Sequence, residues 1–253
     1  MPQLHRAVLL FVIATLALVV FKTGGIAQTG SIYQATLAEA NQKTPEVSTE
    51  QVRSILADRS AIVVDTRSRA EYAAGHIPGA QLLDGPPSTH VAAVERLVNG
   101  DKSTALVLYC NGPYCGASRR LSDQLVAAGF SNVRRYQLGI PIWRALGGPT
   151  EVELEGIVRI FGVDHTAVFI DVRSAEEFAK GSMPGYRNLT LENVDTTIQS
   201  PLPVDDFNTR IVLFGRDYAQ ARAMADLFSK RPWHNVSYYP GPFETLANAV
   251  RSK

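Results

Sequence analysis

The sequence predicts an α/β protein made of two tandem copies of one unit, each copy a parallel sheet flanked by helices. Three observations lead there. The first is an internal repeat. Ala61 onward reads AIVVDTRSRAEYAAGHIPGA and Ala167 onward reads AVFIDVRSAEEFAKGSMPGY, so Asp65, Arg67, Ser68, Glu71, Gly75, Pro78 and Gly79 fall on Asp171, Arg173, Ser174, Glu177, Gly181, Pro184 and Gly185. A period of about a hundred residues is the size of a domain, well beyond the ~20–50 of solenoid repeats. The second is the alternation, in each copy, of short apolar runs with helical stretches, the pattern of strands covered on both faces. The third is length, since 253 residues accommodate two domains of roughly 100–150 residues each.

Taken in order, the chain opens with His5-Arg6 and an unbroken apolar run from Ala7 to Phe21, closed by Lys22. That run has the length of a signal-peptide core and falls short of the ~20 residues that span a bilayer. Gly25-Ile26-Ala27 offers small residues for a signal peptidase. Residues 1–27 are therefore read as a signal peptide or an N-terminal anchor. The expected location is the periplasm or the outer face of the inner membrane, with membrane attachment through the apolar segment as the anchored form. Residues 28–46 are polar and weakly patterned and read as a linker. Residues 47–149 form the first domain and 150–253 the second.

Ser48-Thr49-Glu50-Gln51 has the pattern of a capping box, which predicts a helix over Gln51–Ala57. Ala61–Val64 is an apolar run of strand length. Leu106–Tyr109 is a further strand, matched in the second copy by Ile211–Phe214. A helix is predicted over Ser118–Ala128, with Leu121, Leu125 and Val126 facing inward and Gly129 as its C-terminal cap. Its counterpart runs over Ala219–Ser229, with Ala223, Met224 and Leu227 inward. Gly147-Gly148-Pro149 reads as the joint between domains.

Composition narrows the function. Hydrophobic residues make up 45% and the net charge is +1, so no global field recruits nucleic acid, and no aromatic-basic stripe marks a nucleic-acid groove. Both cysteines, Cys110 and Cys115, lie in one short stretch, unlike the spread cysteines of a disulfide scaffold. The five histidines form no ligand-spaced pair, so no metal site is expected.

Cys110 stands at the end of a predicted strand, followed by Asn111, Gly112, Pro113, Tyr114, Cys115, Gly116 and Ala117 before the helix that opens at Ser118. Glycines let such a loop curl so that backbone N–H groups point into one bowl, and the helix start adds its positive end. A thiol held there is expected to titrate below its unperturbed ~8.5, because the thiolate gains N–H partners. The plainer alternative for Cys110 is a small buried hydrophobe. Arg119 or Arg120 would add positive potential if its side chain turned to the loop. Cys115 has two readings: a resolving thiol that closes a disulfide with Cys110, or a residue of the loop wall. Sequence alone does not choose between them, because the choice rests on a Cβ separation.

The order of motifs resembles the rhodanese (sulfurtransferase) family. The residues that carry it are Asp65-x-Arg67-Ser68-x-x-Glu71-Tyr72, Gly75-His76-Ile77-Pro78-Gly79-Ala80, Leu108-Tyr109-Cys110, Gly129-Phe130, Asn132-Val133 and Trp143. The resemblance covers nearly all of residues 46–253. It implies five-stranded parallel sheets and a catalytic Cys110 that takes sulfane sulfur from a small sulfur-containing anion such as thiosulfate. The sulfur is then carried as a persulfide and passed to a thiol, a protein acceptor or cyanide, with no cofactor. Asn111 to Ser118 would bind the substrate, with Arg67 and Arg119 as supporting groups. Asp65, Arg67 and His76 more often hold the fold in this family, and Trp143 is expected to pack on the sheet edge.

The loop departs from the common single-domain form, Cys-x-x-Gly-x-Arg-Ser: Pro113 stands where that glycine would be, and Ser118 comes late. In related phosphatases and arsenate reductases an enlarged loop admits a tetrahedral oxyanion. Phosphatase chemistry would want an arginine where Gly116 stands. The second copy has Gly215 in the place of Cys110. It is expected to be silent and to wall the active-site cleft, although in tandem rhodaneses the silent copy is typically the first. Two alternatives to sulfur transfer stay open at this point, both using the Cys110/Cys115 pair: an exported redox-responsive binding module and a thiol-dependent arsenate reductase-like protein.

Overall fold

A computed structural model describes residues 42–83, 85–194, 202–203 and 205–251. The segments read as leader and, for the most part, linker, residues 1–41, lie outside the described residues. The chain divides into Met1–Ala40 and Asn41–Lys253, and only the second unit is described below. Among the described residues no helix is long and apolar enough to cross a membrane.

The first copy runs α1 (Thr49–Asp58), β1 (Ile62–Asp65), α2 (Arg69–Ala73), β2 (Gln81–Leu82), a 3-10 turn (Pro87–Thr89), α3 (His90–Leu97), β3 (Leu106–Tyr109), α4 (Gly116–Ala127), β4 (Val133–Tyr136) and α5 (Gly139–Ala145). The second runs β5 (Thr150–Glu151), α6 (Leu154–Arg159), a π turn (Ile160–Asp164), β6 (Ala167–Asp171), α7 (Ala175–Lys180), β7 (Arg187–Asn188), β8 (Arg210–Phe214), α8 (Tyr218–Phe228), β9 (Val236–Tyr239) and α9 (Phe243–Arg251). All strand pairings are parallel, in the orders β2-β1-β3-β4 and β5-β9-β8-β6-β7.

The α/β class holds, but the expectation of five strands in each sheet holds only for the second. In the first, the fifth position shrinks to a single bridge between Glu46 and Arg135. Its hydrogen bonds are Arg135 N–H to Pro45 O at 2.9 Å and Val47 N–H to Arg135 O at 2.8 Å. By register Pro45 stands where the second copy has Thr150, and proline has no N–H with which to lengthen the ladder. Glu46 also accepts from the Arg135 guanidinium at 2.6 and 2.9 Å. The last residues of the presumed linker, 44–46, therefore belong to the edge of the first sheet.

Why these strands are parallel and central is visible in their period of two. In β6 and β8, Ile170, Ile211 and Leu213 face one core with Met224, Phe228 and Trp233, while Phe169, Val212 and Phe214 face another with Ile157, Phe243 and Leu246. Both faces of the sheet are thus buried beneath helices. The first copy repeats one such face with Val64, Leu106 and Leu108 against Leu121 and Leu125.

The helix stripes differ by a step from expectation. In α4 the buried residues are Ser118, Leu121, Ser122 and Leu125, and Val126 is 38% exposed. In α8 they are Ala221, Met224, Ala225 and Phe228, with Ala223 exposed and Leu227 partly buried. Each set follows i, i+3, i+4, i+7, the spacing of one helical face. Gly129 ends α4 with φ +91° and its N–H on Val126 O.

The joint is tight. A Cβ on Gly147 would overlap the carbonyl of Ser229, and one on Gly148 would overlap the indole of Trp143. Trp143 donates Nε1–H to Pro149 O at 2.9 Å, so it lies over the joint, next to the start of the edge strand β5. His76 and Glu151 exchange backbone hydrogen bonds at 2.9 Å in each direction, making a two-residue bridge between the copies. The His76 ring stacks on Tyr72 with centroids 3.6 Å apart, and its Nε2 lies 3.3 Å from the Glu151 carboxylate. Burial works to raise the Glu151 carboxyl, but hydrogen bonds from His76 and Tyr238 together hold it below the ordinary glutamate value of 4.5.

Candidate active site

The site begins with a brace that appears twice. Asp65, at the end of β1, accepts from the Arg67 backbone N–H at 2.9 Å and from its guanidinium at 2.6 to 3.1 Å, while Arg67 Nη2 also donates to Gly75 O at 2.9 Å. Asp171, Arg173 and Gly181 make the same set, at 2.7 to 3.3 Å within the pair and 2.9 Å to the carbonyl. A geometry reproduced in a copy that has no cysteine serves the scaffold. Arg67, named as a supporting group, is spent on this brace and buried.

Tyr109, the last residue of β3, ties the brace to the active loop. Its hydroxyl donates to Asp65 at 2.5 Å and accepts from Ile77 N–H at 3.1 Å. Burial first, then the nearby Asp65 charge, push the Tyr109 phenol well above its usual range, so it remains a donor. Cys110 follows directly. Its carbonyl accepts from Ile140 N–H at 3.1 Å, across a contact so close that a Cβ on Gly139 would overlap that carbonyl and come within 2.6 Å of Gly112 N. Gly139 has φ +61° and Gly112 has φ +99°, both in the region that favours glycine.

A second tether comes from α2. Glu71 completes the capping box of Ser68 and also accepts from the Asn111 side-chain amide. Partial burial works to raise the Glu71 carboxyl, but Ser68, Asn111 and the Arg67 charge hold it below its ordinary value. The second copy uses the same glutamate in the same way, with Glu177 capping Ser174 and accepting from Arg216 Nε at 3.1 Å.

Cys110 and Cys115 are joined as a disulfide, with Cα atoms 6.1 Å apart. Cys110 is only 3% exposed, Cys115 is half-buried, and Tyr114 at the loop tip is 96% exposed. The loop closes on Cys115 N–H to Gly112 O at 3.0 Å. Cys115 has extended backbone and takes the N-cap position of α4, so the helix starts at Gly116, earlier than expected. Gly116, Ala117 and Ser118 are therefore its first turn, and Ser118 joins the buried stripe instead of lining the loop. Among the described residues, the backbone N–H groups of Asn111, Gly112, Tyr114, Gly116 and Ala117 have no acceptor; Pro113 has none to offer.

The guanidinium that reaches this helix start is that of Arg120. Its Nη1 lies 2.7 Å from where a Gly116 Cβ would stand, because residues four apart share a helix face. Arg119 and Arg120 are both exposed. The sequence offers either arginine for added positive potential and names Arg119 as the supporting group; the i, i+4 relation to Gly116 brings Arg120 to the helix start.

Where Cys110 stands in the first copy, the second is crowded by Gln220. A Cβ on Gly215 would lie 2.9 Å from Gln220 Oε1 and 3.0 Å from Ala221 N. Gln220 accepts from Arg216 N–H at 2.8 Å, and Asp217 caps α8 by accepting from Gln220 N–H at 3.0 Å. The second copy was expected to wall the active-site cleft. Instead it packs on α2 and the joint: Arg69 pairs with Glu153 and Glu155, and a Cβ on Gly156 would overlap Ala73 O. A groove of about 1050 Å³ lies between Trp143, Leu146 and Tyr218, Arg222 of the second copy, but residues 110–115 do not line it.

Comparison with known proteins agrees with this architecture. The Rhodanese-like domain family matches residues 48–146 and 161–249. Thiosulfate sulfurtransferase GlpE of Pseudomonas putida (strain GB-1) is 36% identical over 96 residues, which is 38% of this chain and 81% of that protein. GlpE of Pseudomonas entomophila (strain L48) is 37% identical over 99 residues, 39% of this chain and 84% of its own length. The crystal structure of thiosulfate sulfurtransferase from Pseudomonas aeruginosa aligns with 81% of this chain at 17% identity and TM-score 0.38; the aligned part is 42% of that longer chain. With both halves matched in sequence, the chain belongs to the rhodanese-like domain family and carries two copies of that domain in tandem.

Proposed function

We propose that the protein is a sulfurtransferase that moves sulfane sulfur from thiosulfate or a related donor to a thiol, protein or cyanide acceptor through a persulfide on Cys110. The observation that carries this reading is the position of Cys110. It sits at the C-terminal end of a central parallel strand, at the mouth of a loop and helix start where the backbone N–H groups of Asn111, Gly112, Tyr114, Gly116 and Ala117 have no other acceptor among the described residues. Such amides and the positive helix end favour a thiolate or persulfide. The names of the GlpE relatives support thiosulfate as donor.

In the first half-reaction the Cys110 thiolate attacks the outer sulfur of the donor. The donor's sulfur–sulfur bond breaks and sulfite leaves with the bonding pair. In the second, an acceptor thiolate removes the outer sulfur and Cys110 is restored, a two-step covalent scheme with ping-pong kinetics. The disulfide occupies the nucleophile, so turnover begins from the reduced protein. The apolar leader supports action outside the cytoplasm.

Reduced protein treated with thiosulfate should release sulfite and gain ~32 Da, one sulfur, on the peptide bearing Cys110. Cys110→Ser should do neither. Sulfite release that survives in Cys110→Ser would refute the assignment.

A further inference from the structure

We infer that the protein has a second, reductive outlet for its sulfur: Cys115 discharges the Cys110 persulfide as sulfide, so the domain also acts as a thiol-dependent reductase of sulfane-sulfur compounds. This rests on the sulfurtransferase reading and extends it to the fate of the persulfide when no external acceptor arrives first.

The loop places the second thiol where this reaction needs it. The two cysteines bond across a Cα separation of 6.1 Å, inside the ~4.4–6.8 Å that a disulfide spans without backbone movement. Neither end has to travel. Cys110 is pinned by its carbonyl to Ile140 N–H, and Cys115 by its N–H to Gly112 O and by its place at the start of α4. A thiol held within bonding reach acts at an effective concentration that free thiols in solution do not match. Burial sharpens the contest. Cys110 is 3% exposed, so an external acceptor must pass the loop, while Cys115 is already inside it.

The chemistry balances. The Cys115 thiolate attacks Sγ of Cys110, the inner sulfur of the persulfide. The bond from Sγ to the outer sulfur breaks, and the outer sulfur leaves with the electron pair and takes up a proton as hydrosulfide. The sulfane sulfur is reduced by two electrons, one drawn from each cysteine sulfur, and the Cys110–Cys115 disulfide is the oxidised product. A second turnover requires a dithiol reductant, protein or small molecule. Cys115, the more exposed of the two residues, is the point of attack for that reductant, which releases the Cys110 thiolate first, into the open amides of the loop.

The test uses full-length protein, reduced, desalted and held without oxygen, given one equivalent of thiosulfate and no other thiol. Sulfite and sulfide should then appear in equal amounts, the two cysteines should become inaccessible to alkylation, and the peptides bearing them should be found cross-linked. In Cys115→Ser, with Cys115→Ala as a second variant should the first fold poorly, the sulfur should stay on Cys110 with no sulfide released. Sulfite without sulfide in the wild type, with Cys115 still open to alkylation, overturns the inference and leaves the sulfurtransferase reading intact. Sulfide released by the variants as fast as by the wild type overturns it as well. If the wild type releases no sulfite at all, both fail together.

Discussion

After β3 and again after β8 the chain passes from the end of a central strand into a helix, and it does so by different means. The second copy takes the short route: residues 215–217, an aspartate cap on α8, and Gln220 folded back against Gly215. Every polar group named there has a partner, and a side chain at 215 would have to displace Gln220. The first copy takes residues 110–115, caps α4 with a cysteine whose side chain makes no cap, and leaves five backbone N–H groups without an acceptor. Donors left open in a cysteine loop are available to hold an anion. The proposed reactivity therefore rests on the loop and not on the domain as a whole, since the Asp–Arg brace beneath each loop is the same.

The sharpest challenge to that contrast is to the brace. Arg67→Met and Arg173→Met each strand a buried aspartate, and removing one partner of a buried pair costs roughly 3–5 kcal/mol. The two losses should be similar in urea unfolding, and Arg173→Met should keep persulfide formation per folded molecule. A much smaller cost at Arg67 would mean that Arg67 is held for substrate and not for the fold. Next comes Gly139→Ala, which forces a side chain into a left-handed backbone and against the Cys110 carbonyl. A cost of roughly 2–4 kcal/mol is expected from strain and overpacking, with sulfite release reduced even in the folded fraction. The smallest expected effect is none: Gly215→Cys should gain no persulfide on the new thiol, because Gln220 Oε1 stands against the place and takes the Arg216 N–H, and the loop of the second copy is shorter. A ~32 Da gain on that peptide after thiosulfate treatment would break the comparison.

Much of this was legible in residue order. The repeat, the apolar strand runs, the capping box at Ser48 and the placement of Cys110 at a strand end all depend on neighbours close in sequence. The readings that failed depend on what stands opposite in space. Val126 and Ala223 are apolar at roughly helical spacing, yet the packing face is set by the sheet beneath, one step around the helix. The seat of Trp143 depends on the missing Cβ at Gly148, five residues on in sequence but against the ring in space. The disulfide could not be chosen over a loop-wall thiol without a distance, and the filled space at Gly215 depends on the conformation of one glutamine.

The chain's two tryptophans fall one to each half. Trp143 covers the joint with its indole hydrogen-bonded to Pro149, and Trp233 lies in the second core with its indole donating to Pro203 O at 2.9 Å. Intrinsic fluorescence therefore offers two separate optical reporters: with Trp143→Phe the remaining tryptophan emission follows the second half alone, and with Trp233→Phe it follows the joint, with no dye attached to either cysteine.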